Sequence, residues 1–302
     1  MTNEPAADIL AAGEVLFDVF PEYERLGGAP FNFYFHTRAL GSGALFASRI
    51  GKDRRGAEIA DVFSRWRFPE DHLQRDLTRR TGYVMVSLSS ADSPEYVIVE
   101  DVAYDYMEYT AALDALARRG VRLFYFGTLI QRSPRSAGTI DSILENLPEW
   151  TTRLCDLNLR PHCYDLVSVK KSLEHADILK INIDELGVLA HMLDMDRGRD
   201  ECVAGLRDRY SIKWLSLTMG GDGSSLYTED GRYDFTNTEQ FEIEDTVGAG
   251  DAYTAMLALG YLKGWDPETM LDRASRFSGA ICGLKGAVPS TADFYNPYRS
   301  WV

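Results

Sequence analysis

The chain has no CxxC pair, and its four cysteines (Cys155, Cys163, Cys202 and Cys282) are scattered. Reduced thiols are therefore expected, and neither a structural zinc nor a disulfide framework is supported. No Gly-x-x-x-x-Gly-Lys-Ser/Thr segment occurs, which disfavours a P-loop nucleotide site. A dinucleotide fingerprint is missing too: Gly220-Gly221-Asp222-Gly223 has the wrong spacing, and Gly13 lacks partner glycines. No apolar run approaches the length of a membrane span, and the polar, acidic Met1 to Asp8 is unlike a signal or transit peptide. Positive charge is scarce: 32 Lys and Arg against 46 Asp and Glu give a net charge of −14. That balance argues against a nucleic-acid surface. The expectation is a soluble, cytoplasmic protein with neither nucleic-acid nor membrane partners. If such a protein binds a polyanion, it must concentrate positive potential locally, through amides, a metal ion and a few Arg or Lys.

The 302 residues, 45% of them hydrophobic, can build one large α/β domain or two small ones. No repeat, low-complexity segment or linker marks a second unit, so residues 1–302 read as a single domain. Ile9 to Val15 reads as a buried first strand, with Asp18 just past its end. Leu26-Gly27-Gly28-Ala29-Pro30-Phe31-Asn32 leads into a helix that stops at Gly41. Ala44 to Ile50 reads as a second strand, and a helix spans Ala57 to Trp66. From Arg79 to Val102 the period switches to alternation, with a turn at Asp92-Ser93-Pro94, which predicts an inserted hairpin. That insertion suits a lid, an edge hairpin or a dimer contact.

From Val121 onward the alternation is regular. Strands at 121–126, 153–157, 177–181 and 213–217 are spaced by helical patterns at 136–146, 164–174, 184–192 and 199–209. This implies right-handed βαβ units and a mostly parallel sheet. Polar clusters follow the strand ends: Asp156, Asn158 and Arg160; then Asn182 and Glu185; then Thr218, Gly220, Gly221 and Gly223. Open α/β sheets keep their ligand groups at that edge.

One stretch organises the rest. A β-like run, Gln240 to Glu244, leads into Asp245-Thr246-Val247-Gly248-Ala249-Gly250-Asp251. A helix pattern then leaves it with Ala252, Ala255, Met256, Leu259 and Leu262 on one face. Glycine amides at a helix N-terminus favour an anion. A carboxylate beside them is what moving a phosphoryl group onto a hydroxyl needs. A Gly-rich turn with an Asp near the N-cap is the plainer reading of the same residues.

Taken together, these segments resemble the ribokinase-like (PfkB) carbohydrate kinase family, and within it the bacterial fructokinases. Asp245 to Asp251 is similar to the family's C-terminal signature. Gly27 to Asn32, continuing to Arg49-Ile50-Gly51-Lys52-Asp53-Arg54-Arg55-Gly56, resembles its N-terminal one. Gly13-Glu14-Val15-Leu16-Phe17-Asp18, Glu95 to Val99, Val102 to Asp105 and Ser278 to Pro289 are similar to fructokinase segments. Asp156-Leu157-Asn158-Leu159-Arg160-Pro161 resembles a segment shared by fructokinases and 2-keto-3-deoxygluconate kinases.

The resemblance implies a three-layer α/β/α sandwich with a mostly parallel central sheet and a small β lid, with lid segments near 16–26 and 81–108. Asp251 would be the general base, and amides from Gly248 through Ala249 to Gly250 would form the anion hole. Asp18, Gly28 and Asn32 would hold the sugar, and Arg160 would lie near the sugar or the transferred phosphate. Thr218, Gly220, Gly223, Gly250 and Asn182 would serve the nucleotide. Asn182 and Glu185 match the N-x-x-E motif, which organises Mg²⁺ and phosphates largely through water. Relatives of this kind often bind K⁺, for which the Asp245-Thr246 and Gly286 to Ser290 segments could supply carbonyls.

The activity implied is ATP-dependent phosphorylation of a free hexose, fructose to fructose 6-phosphate foremost. The alternatives are 2-keto-3-deoxygluconate or another sugar or nucleoside as acceptor, or a non-catalytic sugar-binding regulator. A homodimer formed through the β lid is a further expectation. Pro161-His162-Cys163-Tyr164 departs from the fructokinase pattern. The bulky Phe31, Phe33, Tyr34 and Phe35 are expected to pack mostly in the core, one of them narrowing the sugar pocket. His36 and His162 are expected to be structural.

Overall fold

The computed structural model describes residues 4–88, 94–195, 198–237 and 242–302. The chain starts with β1 (Ile9–Ala12), entirely buried, then leaves the main sheet for a hairpin, β2 (Leu16–Val19) and β3 (Glu24–Gly27). Next come α1 (Ala29–Ala39), β4 (Ala44–Gly51), α2 (Arg54–Trp66), β5 (Leu73–Asp76), β6 (Gly82–Leu88) and β7 (Pro94–Ile98). Helix α3 (Ala111–Arg119) precedes a run of crossover units: β8 (Leu123–Phe126), α4 (Pro134–Asn146), β9 (Thr152–Asp156), α5 (Leu166–Glu174) and β10 (Ile178–Asn182). Then follow α6 (Ile183–Met192), α7 (Arg199–Tyr210), β11 (Trp214–Thr218), β12 (Ser224–Tyr227), β13 (Arg232–Phe235), α8 (Ala249–Lys263) and α9 (Pro267–Cys282).

Among the described residues the main sheet has nine strands in the order β13-β12-β11-β10-β9-β8-β1-β4-β5. Pairing is parallel from β11 through to β5, and antiparallel only where β12 and β13 are added. Strand alternation sends side chains into two cores: Leu10 and Ala12 join one with residues of α4 to α7, Ile9 and Ala11 the other with residues of α1, α2, α8 and α9. Helices therefore cover both faces, giving the expected three layers. A separate four-stranded sheet, β3-β2-β6-β7, carries exposed Met85 and Val97 as a cross-strand pair.

Several details differ from the sequence reading. Ile9 to Val15 is not one strand, because a Cβ on Gly13 would lie 2.2 Å from the Pro30 ring as α1 packs down on it. Asp18 is therefore not a residue trailing β1 but an internal position of β2, opposite Arg25 of β3. Strand β5 and helix α3, which the sequence reading left out, fill the two long connections. Helix α8 is buried on every side from Ala252 to Gly260, not on one face, since it lies against α1 and α9. Residues 242–244 are irregular, and Gln240, like the Asp92-Ser93 part of the predicted turn, lies outside the described residues.

The Arg49 to Gly56 segment serves the scaffold. Asp53 caps α2 by accepting from the Gly56 amide at 2.8 Å, and also accepts from the Thr81 amide and hydroxyl at 2.8 and 2.7 Å. Arg55 holds Glu24 with two bonds of 3.0 Å, tying the small sheet to α2.

Candidate active site

The N-terminus of α8 faces the C-terminal edge of the parallel strands. Gly248 is its N-cap, in the left-handed region at φ 81°, and no side chain caps the first turn. Helix N-termini carry amides without intrahelical partners, so this turn presents donors to an anion. A Cβ on Gly248 would lie 2.4 Å from the Ala287 Cβ and 2.6 Å from its Cα. Gly248→Ala is therefore expected to cost about 1–3 kcal/mol in chemical denaturation. It should also lower turnover by displacing the amides; an unchanged denaturation midpoint would contradict the tight fit.

Asp251 sits in the first turn of α8, and Asn32 of α1 donates to its Oδ2 from Nδ2 at 2.7 Å. Burial raises the Asp251 pKa and the Asp156 charge adds to that, while the Asn32 bond, Lys180 and Arg160 oppose it. Asn32 is itself buried, and its Oδ1 has no partner among the described residues. A Cβ on Gly27 would lie 3.5 Å from Asp18 Oδ2 and 4.0 Å from Asn32 Nδ2, so Asp18 and Asn32 converge on one spot. Gly28, at φ 107°, passes so close to the link between β1 and β2 that a Cβ would lie 2.8 Å from the Glu14 carbonyl oxygen. Burial pushes Asp18 up to about 6, with Arg160 and Arg25 pulling it down and Asp245 and Asp251 pushing it up.

Arg160 is exposed and its side chain makes no hydrogen bond or ion pair among the described residues. Its positive charge nevertheless acts on Asp18, Glu14 and Asp251.

A cavity of about 690 Å³ opens on the other side of the glycine turn. Thr218, Gly220, Gly223 and Gly250 line it together with Asn237, Ile243, Tyr253 and Cys282. Its volume suits a drug-sized or nucleotide ligand. Asn182 is the cross-strand partner of Thr218 but faces α6, where its Oδ1 accepts from the Glu185 amide at 2.8 Å.

Glu185 completes that capping box. One carboxylate oxygen accepts from the Asn182 amide and the other from the Leu159 amide, each at 2.8 Å. The motif thereby pins the segment that leads to Arg160. Among the described residues no cluster of three His, Cys, Asp or Glu could hold a metal ion directly. The donor set therefore suits a Mg²⁺ carried on a ligand's own phosphates and reached through water, not a metal caged by protein.

The segments expected to serve a monovalent cation already hold a protein cation. The Asp245 carboxylate is ion-paired with Arg25 and also accepts from the Val247 amide at 3.0 Å. The Ala287 carbonyl accepts from His36 Nε2 at 3.1 Å. Burial depresses His36 to about 3, so it stays neutral, as expected of a structural histidine. The four rings Phe31, Phe33, Tyr34 and Phe35 are all in the core.

Sequence reasoning missed Lys180 and Glu14 and misdirected Asp156. Lys180 and Asp156 are cross-strand partners on β10 and β9, with Nζ 3.2 Å from Asp156 Oδ1 and both side chains buried. Burial opposes the Lys180 charge, but Asp156, Glu185 and Asp251 outweigh it and raise its pKa. A Cβ on Gly250 would lie 3.4 Å from Lys180 Nζ, so the ammonium sits directly under the glycine turn. Asp156, which the sequence placed among the ligand groups, instead points inward, its other oxygen accepting from Thr254 Oγ1 of α8 at 2.8 Å. A lysine within the apolar run Ile178 to Ile181 was the available signal. Glu14 is buried, its Oε2 has no partner among the described residues, and burial pushes it up to about 7.

The chain is similar to known proteins over nearly its whole length. The chain is 27% identical to fructokinase-1 of Oryza sativa subsp. japonica, over 93% of this chain and 94% of the relative. It is 21% identical to the 5-dehydro-2-deoxygluconokinase of Bacillus anthracis, over 95% and 91% of the two chains. Among solved structures, a double mutant of the Vibrio cholerae O395 fructokinase with fructose, ADP and potassium bound superposes with a TM-score of 0.78. That likeness covers 96% of this chain and 98% of the other at 19% identity, and so concerns the fold. The model of the pfkB family of carbohydrate kinases matches residues 8–293, nearly the whole chain, and the protein belongs to that family.

Proposed function

We propose that this carbohydrate kinase transfers the γ-phosphoryl group of ATP to a hydroxyl of a free hexose, with fructose as the foremost acceptor. The observation that carries the reading is the uncapped N-terminus of α8, with Asp251 held by Asn32 on one side and the 690 Å³ cavity on the other. A sugar hydroxyl is a poor nucleophile, and Asp251 takes its proton as the oxygen attacks phosphorus. Its raised pKa suits it to the task. The free Asn32 Oδ1 and the Asp18 carboxylate accept from sugar hydroxyls, and Gly28 lets the ring approach the backbone.

The cavity lined by Thr218, Gly220 and Gly223 receives the nucleotide so that its terminal phosphate reaches the Gly248 to Gly250 amides. Those amides and Lys180 offset the charge on the transferring group, which suits a loose phosphoryl-transfer transition state. Arg160, whose side chain has no partner among the described residues, closes over the same group. When bound, Mg²⁺ would neutralise phosphate charge, with Glu185 reaching it through water. The small sheet acts as a lid that excludes water from the reaction.

Fructose is favoured by the fructokinase-like segments and by the rice relative. A second acceptor class, a keto- or dehydro-deoxy sugar acid, is favoured by the Asp156 to Pro161 segment and by the Bacillus relative. A coupled ADP-release assay over a sugar panel separates them. Highest kcat/KM on fructose is expected. Turnover confined to a sugar acid would move the substrate and leave the mechanism, whereas no ADP release on any sugar would refute the reading.

A further inference from the structure

We propose that the Arg25 guanidinium takes the place of a monovalent cation beside the phosphoryl-binding turn, so that turnover does not require K⁺. The inference rests on the kinase reading above. Arg25 lies on β3 directly opposite Asp18, on the face that looks into the site. From there its guanidinium reaches Asp245, 220 residues away in sequence, at the start of the glycine segment. The pair is largely withdrawn from water, with side-chain exposures of 26% and 14%. The guanidinium also lies 4.8 Å from the Tyr23 ring centroid and 5.6 Å from that of Phe20, and these two rings stack at 4.5 Å. Aromatic faces and a carboxylate together hold a planar cation in place.

One neighbouring carbonyl is also engaged. A Cβ on Gly286 would lie 3.6 Å from Arg25 Cδ, so the arginine stem borders the Gly286 to Ser290 segment. Within that segment the Ala287 carbonyl is taken by His36 Nε2, while Nδ1 accepts from the Tyr295 hydroxyl at 2.8 Å. A potassium ion beside Asp245 would meet a fixed positive charge. The chain thus supplies the positive charge itself, from the small sheet.

The test compares KCl with choline chloride at equal ionic strength, in the presence of Mg-ATP and the sugar the panel identifies. Wild-type turnover should differ by less than about threefold between the two salts. Arg25→Met should lose about tenfold or more in choline chloride and recover in KCl, and Arg25→Lys should stay indifferent to the salt. A readout independent of turnover is Tm: KCl should raise it over choline chloride for Arg25→Met and leave the wild type unchanged. Wild-type stimulation by K⁺ above threefold would overturn the proposal, as would an Arg25→Met variant indifferent to K⁺ in both turnover and Tm. If no sugar is phosphorylated in either salt, the kinase reading has failed and the Tm comparison decides the role of Arg25 alone.

Discussion

Asp251→Asn should lower kcat by about 10²–10⁴-fold, the range a positioned general base contributes. KM for sugar and for ATP should stay within about threefold, because the amide keeps the shape and can still bond Asn32. The same variant makes a second, opposite-signed prediction about stability. Burial raises the folded-state pKa of Asp251 above its unfolded value. The folded protein then binds more protons than the unfolded chain between those two values, so ionising Asp251 costs stability as pH rises through that window. The neutral asparagine avoids the cost, and the variant should melt no lower than wild type at neutral pH. Loss of turnover with Tm retained separates a catalytic role from a structural one. Wild-type-like turnover would remove Asp251 from the chemistry.

The second large effect concerns Lys180. Removing one partner of a buried ion pair leaves the other charge uncompensated, and Lys180→Met should destabilise the protein by about 3–5 kcal/mol. It should also lower kcat by about 10²–10³-fold, because a fixed charge under the phosphoryl-binding turn acts where transition-state charge develops. These two consequences are separable. In the double variant Lys180→Met/Asp156→Leu the ion pair is removed whole, so stability should return part of the way toward wild type while turnover stays low. Recovery of both would show that the pair only holds β9 against β10. A further sign follows in the single variant. Lys180 lowers the Asp251 pKa, so its loss should move the acid limb of kcat/KM to higher pH.

Sequence reasoning reached the residues whose chemistry is local. Gly248 to Asp251 could be singled out because glycines before a long apolar helix leave its first amides open to an anion, a property local to the turn. Asn182 and Glu185 stood out as polar groups after a strand, though nothing there showed that each Glu185 oxygen accepts from a backbone amide. The misplacement of Asp18 came from reading apolar residues as one strand across Gly13. Tertiary contact with Pro30 breaks the run there and sends the chain into a second sheet.

Lys180 and Arg25 escaped for a different reason. A lysine inside a strand reads as a solvent-facing position until the register sets it against Asp156. An arginine before a glycine pair reads as loop charge until a partner 220 residues away arrives beside it. Helix α8 likewise showed one apolar face in sequence, and only its central place between the sheet, α1 and α9 explains burial all round. Pairings of this kind depend on topology, which periodicity does not encode.

The central claim is that the α8 turn and Asp251 move the terminal phosphoryl group of ATP onto a sugar hydroxyl. Phosphorus-31 NMR of the wild-type reaction with fructose and Mg-ATP tests it most directly. The account predicts a growing phosphomonoester resonance in step with ADP, absent when Asp251→Asn replaces the wild type. A spectrum showing only ADP and inorganic phosphate across the whole sugar panel would contradict it.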